Sequence, residues 1–304
     1  MQIHLTEKDK MLSAMKMAMM QISLVNELTL DVSDLFQITL NLNEENKITN
    51  IFSDEEWPKA VDDSQIVKAD TDKVLRAEGI LYLFLNNAVK GIKFLDFGCG
   101  EGHTAAVAAT QGASVSVGYD VAEASQWANY PTAANLLFTT AFSVAAEKGP
   151  YDAILLYDVL DHCHAPVEAL KQVVSVLAPE GKVYVRCHPW CARHGGHLYR
   201  TLNKAYAHLF LSDEAVTKLS NNAAGPQRVV HPLKTYGDWF AEAGLKVQSE
   251  DTVREKPEAF FFAPARAEII KNWWKKSYDV ALAKGKTFPE FQLGQQFVDF
   301  VLHL

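Results

Sequence analysis

Two groups of side chains in this chain of 304 residues could do chemistry. The first is Asp96-Phe97-Gly98-Cys99-Gly100-Glu101-Gly102-His103, a carboxylate followed by glycines at alternate positions. Glycines at that spacing let a backbone turn tightly and let a ligand approach the start of a helix. A pyrophosphate fingerprint needs G-x-G-x-x-G, and here His103 stands where the last glycine belongs. With an acid in front of it, the loop suits a cationic ligand better than a pyrophosphate.

The second group is Cys187-His188-Pro189-Trp190-Cys191-Ala192-Arg193-His194-Gly195-Gly196-His197, dense in titratable and aromatic residues. An imidazole titrates near neutrality, so His188 first and His162 second suit the removal of a proton from a hydroxyl or ammonium. Histidines in such places also cap, stack or bond backbone carbonyls. The same stretch has ligands enough for zinc, but it lacks paired C-x-x-C spacing and Gly195-Gly196 breaks the helix that would align them. No metal is expected. His231, Pro232 and Tyr236 are expected on the opposite rim of the same pocket.

These groups need a frame. Ile92–Phe97, Ser114–Tyr119, Leu136–Thr140, Ala153–Tyr157 and Lys182–Cys187 are short apolar runs without strict alternation, as strands buried on both faces require. Helical segments lie between them. The clearest is Pro166–Leu177, with proline in its first turn, Leu170, Val173, Val174 and Leu177 on one face, and Pro179-Glu180-Gly181 as stop and turn. Strands alternating with helices at this spacing give a doubly wound, mostly parallel α/β sheet. A helix ending at Gly244 and strands at Leu245–Gln248 and Ala259–Ala263 close it. The carboxyl-terminal tail, 265–304, reads as two helices.

With those elements in place, the chain resembles the class I S-adenosylmethionine-dependent methyltransferases over residues 76–264, and their small-molecule branch in particular. Three motifs carry the resemblance. They are the D-x-G-x-G-x-G loop after the first strand, Asp120 ending the second strand (VSVGYD), and YDVLDH before a helix and an L-x-P-x-G turn. The resemblance implies a seven-stranded Rossmann-like sheet and S-adenosylmethionine as cofactor. It implies that Asp96, Gly98, Gly100 and Gly102 hold the amino-acid end of that cofactor, that Asp120 binds its ribose, and that Asp158 lies near the methionine moiety and sulfonium. Family members often contact the adenine amino group with an acid after the third strand. In TTAFSVAAEKG no acid stands directly after the strand, and Phe142 or Ser143 takes that place.

Composition narrows the acceptor. The net charge is −8, and residues 1–75 carry fourteen acids against seven lysines, so no Lys/Arg cluster offers a footprint for a duplex. The N/D-P-P-Y/F motif of nucleic-acid amino-methyltransferases is replaced by Tyr157-Asp158-Val159-Leu160, and none of the four cysteines follows a proline. A small molecule or glycan is therefore preferred over nucleic acid, with methyl transfer to its oxygen or nitrogen. No apolar run is long enough to span a membrane, the first twenty residues do not read as a secretory signal, and unpaired thiols suit a cytoplasmic protein.

The expected organisation is an acidic extension of helix and short strands (1–75), a cofactor-binding domain (76–264) and the helical tail (265–304). All six methionines fall in the first twenty positions, with Met11, Met15 and Met19 at helical spacing. Residues 53–73, with Pro58, suit a surface linker. The extension is expected to serve a homo-oligomer or a protein partner. The alternative to an enzyme is an assembly protein that retains the fold.

Overall fold

The computed structural model describes residues 53, 55–62, 70–189, 192–194, 197–207, 233–254 and 295–304. The methionine helix, the expected hairpin, Ala259–Ala263, Trp190, Cys191, His231 and Pro232 lie outside them. The chain divides into two compact units, one of residues 67–188, 235–253 and 297–304, the other of residues 1–66, 189–234 and 254–296.

The first unit carries the sheet. Its strands are β1 (Lys93–Phe97), β2 (Val115–Tyr119), β3 (Leu136–Thr139), β4 (Tyr151–Tyr157), β5 (Leu177–Cys187), β6 (Lys246–Arg254) and β7 (Gln295–His303), in the order β3-β2-β1-β4-β5-β7-β6. The pairs β1–β2, β1–β4, β2–β3 and β4–β5 are parallel, and β7 runs antiparallel to β5. Phe94, Leu95, Val117, Ile154, Leu156, Val183 and Val185 are all without solvent exposure, which is why these strands lack polar alternation. Strand order reverses between β1 and β4, and the carboxyl ends there form the crevice where such sheets bind ligands.

The helices of this unit are α1 (Asp70–Leu85), α2 (His103–Thr110), α3 (Phe142–Ala146), α4 (Pro166–Ser175) and α5 (Leu233–Glu242). In α1, Ala77, Ile80 and Leu81 are buried against Phe94, Val107, Ala108 and Leu155, with Phe84 one turn on. That spacing fixes the apolar face of α1 to the sheet. In α4, Leu170 and Val173 are the buried positions. No helix of the described residues is long and apolar enough to cross a membrane.

Three expectations are corrected. Residues 295–303 form the strand β7 and not a helix: Val298, Phe300 and Leu302 are buried, alternating with half-buried Phe297, Asp299 and Val301. A run as apolar as FVDFVL satisfies both periods, and pairing with β5 decides between them. Pro179-Glu180-Gly181 belongs to β5, whose register against β4 shifts between Tyr151 and Ala153, so the turn signal marks a strand irregularity.

The third correction lies in the second unit, where the segment read as a linker is packed. Trp57 is 5 % exposed and its indole N–H donates to the Ala205 carbonyl at 2.9 Å. Val61 and Asn203 exchange hydrogen bonds at 3.0 and 2.9 Å, and the Arg193 guanidinium donates to the Lys59 carbonyl at 2.6 and 2.9 Å. An acidic composition hid one large aromatic anchor.

Candidate functional site

The glycine loop joins β1 to α2. Tyr119 at the end of β2 accepts the N–H groups of Gly98 and Cys99 at 2.7 and 3.0 Å, which ties the loop to the neighbouring strand. Gly102, the residue before α2, has φ +85°, and a methyl group on it would collide with the ring of Phe138. That position is closed to side chains by both conformation and space. Gly100 is the opposite case. Its φ is +52°, and a Cβ there would meet nothing within 4 Å. The open space over Gly100 is room for a ligand.

Asp120, at the carboxyl end of β2, is aimed at that loop. One carboxylate oxygen accepts the Gly100 N–H at 2.8 Å and the other the Ala122 N–H at 3.2 Å. Each oxygen keeps a further lone pair for a ligand hydroxyl. The indole N–H of Trp127 donates to the Gly100 carbonyl at 2.8 Å, and its ring stacks on Phe138 with centroids 5.4 Å apart. Beside them, Val121 is 84 % exposed, an apolar side chain left uncovered next to the ribose-binding candidate. Nothing in the sequence marked Trp127 or Val121 beyond their nearness to Asp120.

Asp96 is 4 % exposed and faces the same loop from β1. Burial, the largest influence, pushes its pKa up to about 7; the Ala105 N–H, one of the open donors at the start of α2, works against this, and the Asp120 charge adds to it. Burial also pushes the Cys99 thiol far up, with Asp96 and Asp120 adding to the shift, which favours its neutral form. Phe142 opens α3, half-buried, its ring edge-on to Tyr119 and Phe97 at centroid distances of 5.5 and 6.2 Å.

The second half of the site grows from the ends of β4 and β5. Asp158 follows β4 with φ +56°, a left-handed conformation that aspartate tolerates better than most residues, and its N–H donates to the Arg186 carbonyl at 3.0 Å. Its Oδ1 lies 3.1 Å from Nε2 of His188, and its Oδ2 lies 3.7 Å from the Arg76 guanidinium on α1. Burial would raise the Asp158 pKa, but the neighbouring His188, with the Arg76 and Arg186 guanidinium groups, outweighs it and holds the carboxyl at about 2. His188 is 6 % exposed, and its carbonyl accepts the Tyr236 hydroxyl from α5 at 3.1 Å.

The structure thus joins Asp158 to His188 and brings in Tyr236, all named from the sequence. His162 stands exposed at the end of a short 3-10 turn, Leu160–His162. The Cys187 thiol is buried against the Val298 carbonyl at 4.0 Å, and burial pushes its pKa well up. Sequence reasoning missed Arg76, Tyr157, Arg186, Phe297 and Asp299, which surround the Asp158–His188 pair. A lone arginine in the apolar run KVYVRC and a lone aspartate in FVDFVL were the available signals.

A methyltransferase-domain family model matches residues 71–250, from α1 into β6. The chain belongs to that family. These methyltransferase domains use S-adenosylmethionine as methyl donor. Over 102 residues the chain is 35 % identical to the ubiquinone biosynthesis O-methyltransferase of Roseobacter denitrificans, a match that spans 30 % of this chain and 39 % of that protein's length. Among solved structures it is similar to an S-adenosylmethionine-dependent methyltransferase from Mesorhizobium loti, at 17 % identity and a TM-score of 0.45 over 75 % of this chain and 98 % of that one. It is also similar to the magnesium protoporphyrin IX methyltransferase of Synechocystis, determined with bound S-adenosylhomocysteine. That match has 14 % identity and a TM-score of 0.44 over 86 % of this methyltransferase domain's chain and 94 % of the other.

The geometry of the domain fits such a donor. Its loop leaves space over Gly100, Asp120 is bonded to that glycine, and Asp96 lies buried beneath the loop against the Ala105 N–H.

Proposed function

We propose that this methyltransferase domain is an enzyme that moves a methyl group to an oxygen or nitrogen of a small-molecule or glycan acceptor. Two features of one sheet edge carry the proposal: Asp120 bonded to the open Gly100 loop, and the Asp158–His188 pair at 3.1 Å. S-adenosylmethionine supplies an activated methyl on a sulfonium. Gly98, Gly100 and Gly102 present loop backbone to its amino-acid end, Asp96 offers that end a negative charge, and Asp120 accepts the two ribose hydroxyls. Phe142 lines the purine side in place of the missing acid.

On the acceptor side His188 takes the proton. The Asp158 carboxylate stands 3.1 Å from Nε2 and orients the ring. The carboxylate of Asp158 remains charged at neutral pH, so it also stabilises the imidazolium formed when the acceptor proton arrives. His162 is the second base candidate, and its exposure makes it the weaker one. The curated relative is an O-methyltransferase, which favours oxygen over nitrogen as the accepting atom.

Calorimetry with S-adenosylhomocysteine on the full chain and on Asp120→Ala tests the donor half. Removing a carboxylate that accepts two hydroxyls should weaken binding by about two orders of magnitude. Absence of heat from the native chain would sink the enzyme reading, and equal binding by both chains would sink the ribose assignment.

A further inference from the structure

Behind the Asp158–His188 pair lies a buried layer with a geometry more specific than the sheet needs. Arg186 of β5 is 8 % exposed and stands directly across from Asp299 of β7 in the strand register. Its Nε and Nη2 donate to the two carboxylate oxygens of Asp299 at 2.6 and 2.5 Å, and its Nη1 donates to the Tyr157 hydroxyl at 2.7 Å. The face of the guanidinium rests on the Phe297 ring, 3.7 Å from its centroid. The same Phe297 ring meets the His188 imidazole edge-on, at 6.2 Å and 89°. Meanwhile the Arg186 carbonyl holds the N–H of Asp158 in its left-handed conformation.

Arg186 therefore touches both members of the pair, one through its backbone and the other through Phe297. Stability gives no reason for this choice. A buried ion pair gains little over well-packed apolar residues of the same volume, whereas a bidentate fork with every nitrogen assigned fixes position and angle. We propose that Arg186, Asp299 and Phe297 are positioning residues that set the Asp158 carboxylate and the His188 imidazole face to face for proton removal. The inference rests on the reading of His188 as the base. It also gives β7, the antiparallel strand, a share in the chemistry of the β4 and β5 ends.

Among the described residues, the charged and titratable groups around the pair are Tyr157 from β4, Arg76 from α1, Cys187 and Arg186 from β5, Tyr236 from α5 and Asp299 from β7. Removing the Asp299 charge leaves the guanidinium field uncompensated beside His188, which disfavours the imidazolium. Long-range proton–nitrogen NMR of the full chain reads the tautomer and titration midpoint of His188 without any acceptor, with His188→Gln identifying its signals. Asp299→Asn should lower the midpoint by about half a pH unit or more, and Asp299→Glu should return it toward the native value. If Asp299→Asn does not fold, Arg186→Met with Asp299→Leu replaces the pair by apolar volume, and the His188 tautomer pattern should change there as well.

A folded variant that binds S-adenosylhomocysteine like the native chain, yet shows an unchanged His188 midpoint and tautomer, overturns the proposal. Failure of the native chain to bind S-adenosylhomocysteine overturns the enzyme reading instead, and the NMR comparison still reports on the positioning layer.

Discussion

Asp96 and Asp158 end neighbouring parallel strands, β1 and β4, and their surroundings push them in opposite directions. Burial with Asp120 alongside outweighs the Ala105 N–H and pushes the Asp96 carboxyl up to about 7. Asp158 is also buried, but His188, Arg76 and Arg186 surround it and hold it at about 2. In the proposed donor half the charges of Asp96 and Asp120 add to each other, while the loop's Glu101 is paired with Lys73 at 2.7 Å; in the proposed acceptor half Asp158 is a carboxylate already compensated. The difference supports the proposed division: an incoming cation would be matched where Asp96 and Asp120 lie, and proton transfer where Asp158 stands beside an imidazole.

The halves are also built differently, so they should break differently. The donor half is mostly backbone, closed around Gly102, and Gly102→Val has the largest expected effect. Its φ of +85° and the Phe138 ring both exclude the new side chain, so the loop must open and binding of S-adenosylhomocysteine should be lost in calorimetry. The acceptor half is made of side chains, and losing one leaves the loop intact. His188→Gln should lower methyl transfer from labelled donor to a panel of small phenols and amines by about a hundredfold, while S-adenosylhomocysteine binds within about threefold of native. Equal loss of binding and of transfer would merge the two halves into one.

The same difference decides what could be read from the sequence. The donor half is local: Asp96, Gly98, Gly100 and Gly102 lie within seven consecutive positions, and Asp120 ends the next strand, so spacing alone exposes them. The parallel strands were legible because burial on both faces leaves a composition signal. The acceptor half was legible only at its sequence-dense points, His188 and Asp158. Arg76, Phe297 and Asp299 come from a helix and a strand far away in the chain, and only the β5–β7 register brings Asp299 opposite Arg186. β7 itself was read as a helix because FVDFVL carries no polar alternation to fix its period. Long-range pairing leaves no trace in local spacing.

The smallest expected effect tests the comparison most directly, because it depends only on the sign of each shift. Asp96 has a raised pKa when folded, so the stability it contributes is full at low pH and is lost as pH rises through about 7. Asp158 has a lowered one, so its contribution is present above the ordinary carboxylate range and is lost as pH falls toward about 2. Asp96→Asn should therefore melt with the native chain near pH 3, where Asp96 is protonated both folded and unfolded, begin to melt higher than it as pH rises past about 4, and keep the full difference at pH 8 in the absence of donor. Binding should move the other way. Between pH 6 and pH 8 the ionised fraction of Asp96 rises about tenfold, and calorimetric affinity for S-adenosylmethionine should rise by up to about that factor in the native chain and stay flat in Asp96→Asn. A native affinity that ignores pH would mean that Asp96 does not face the cationic end of the donor, and the assignment of the two halves would lose its electrostatic ground.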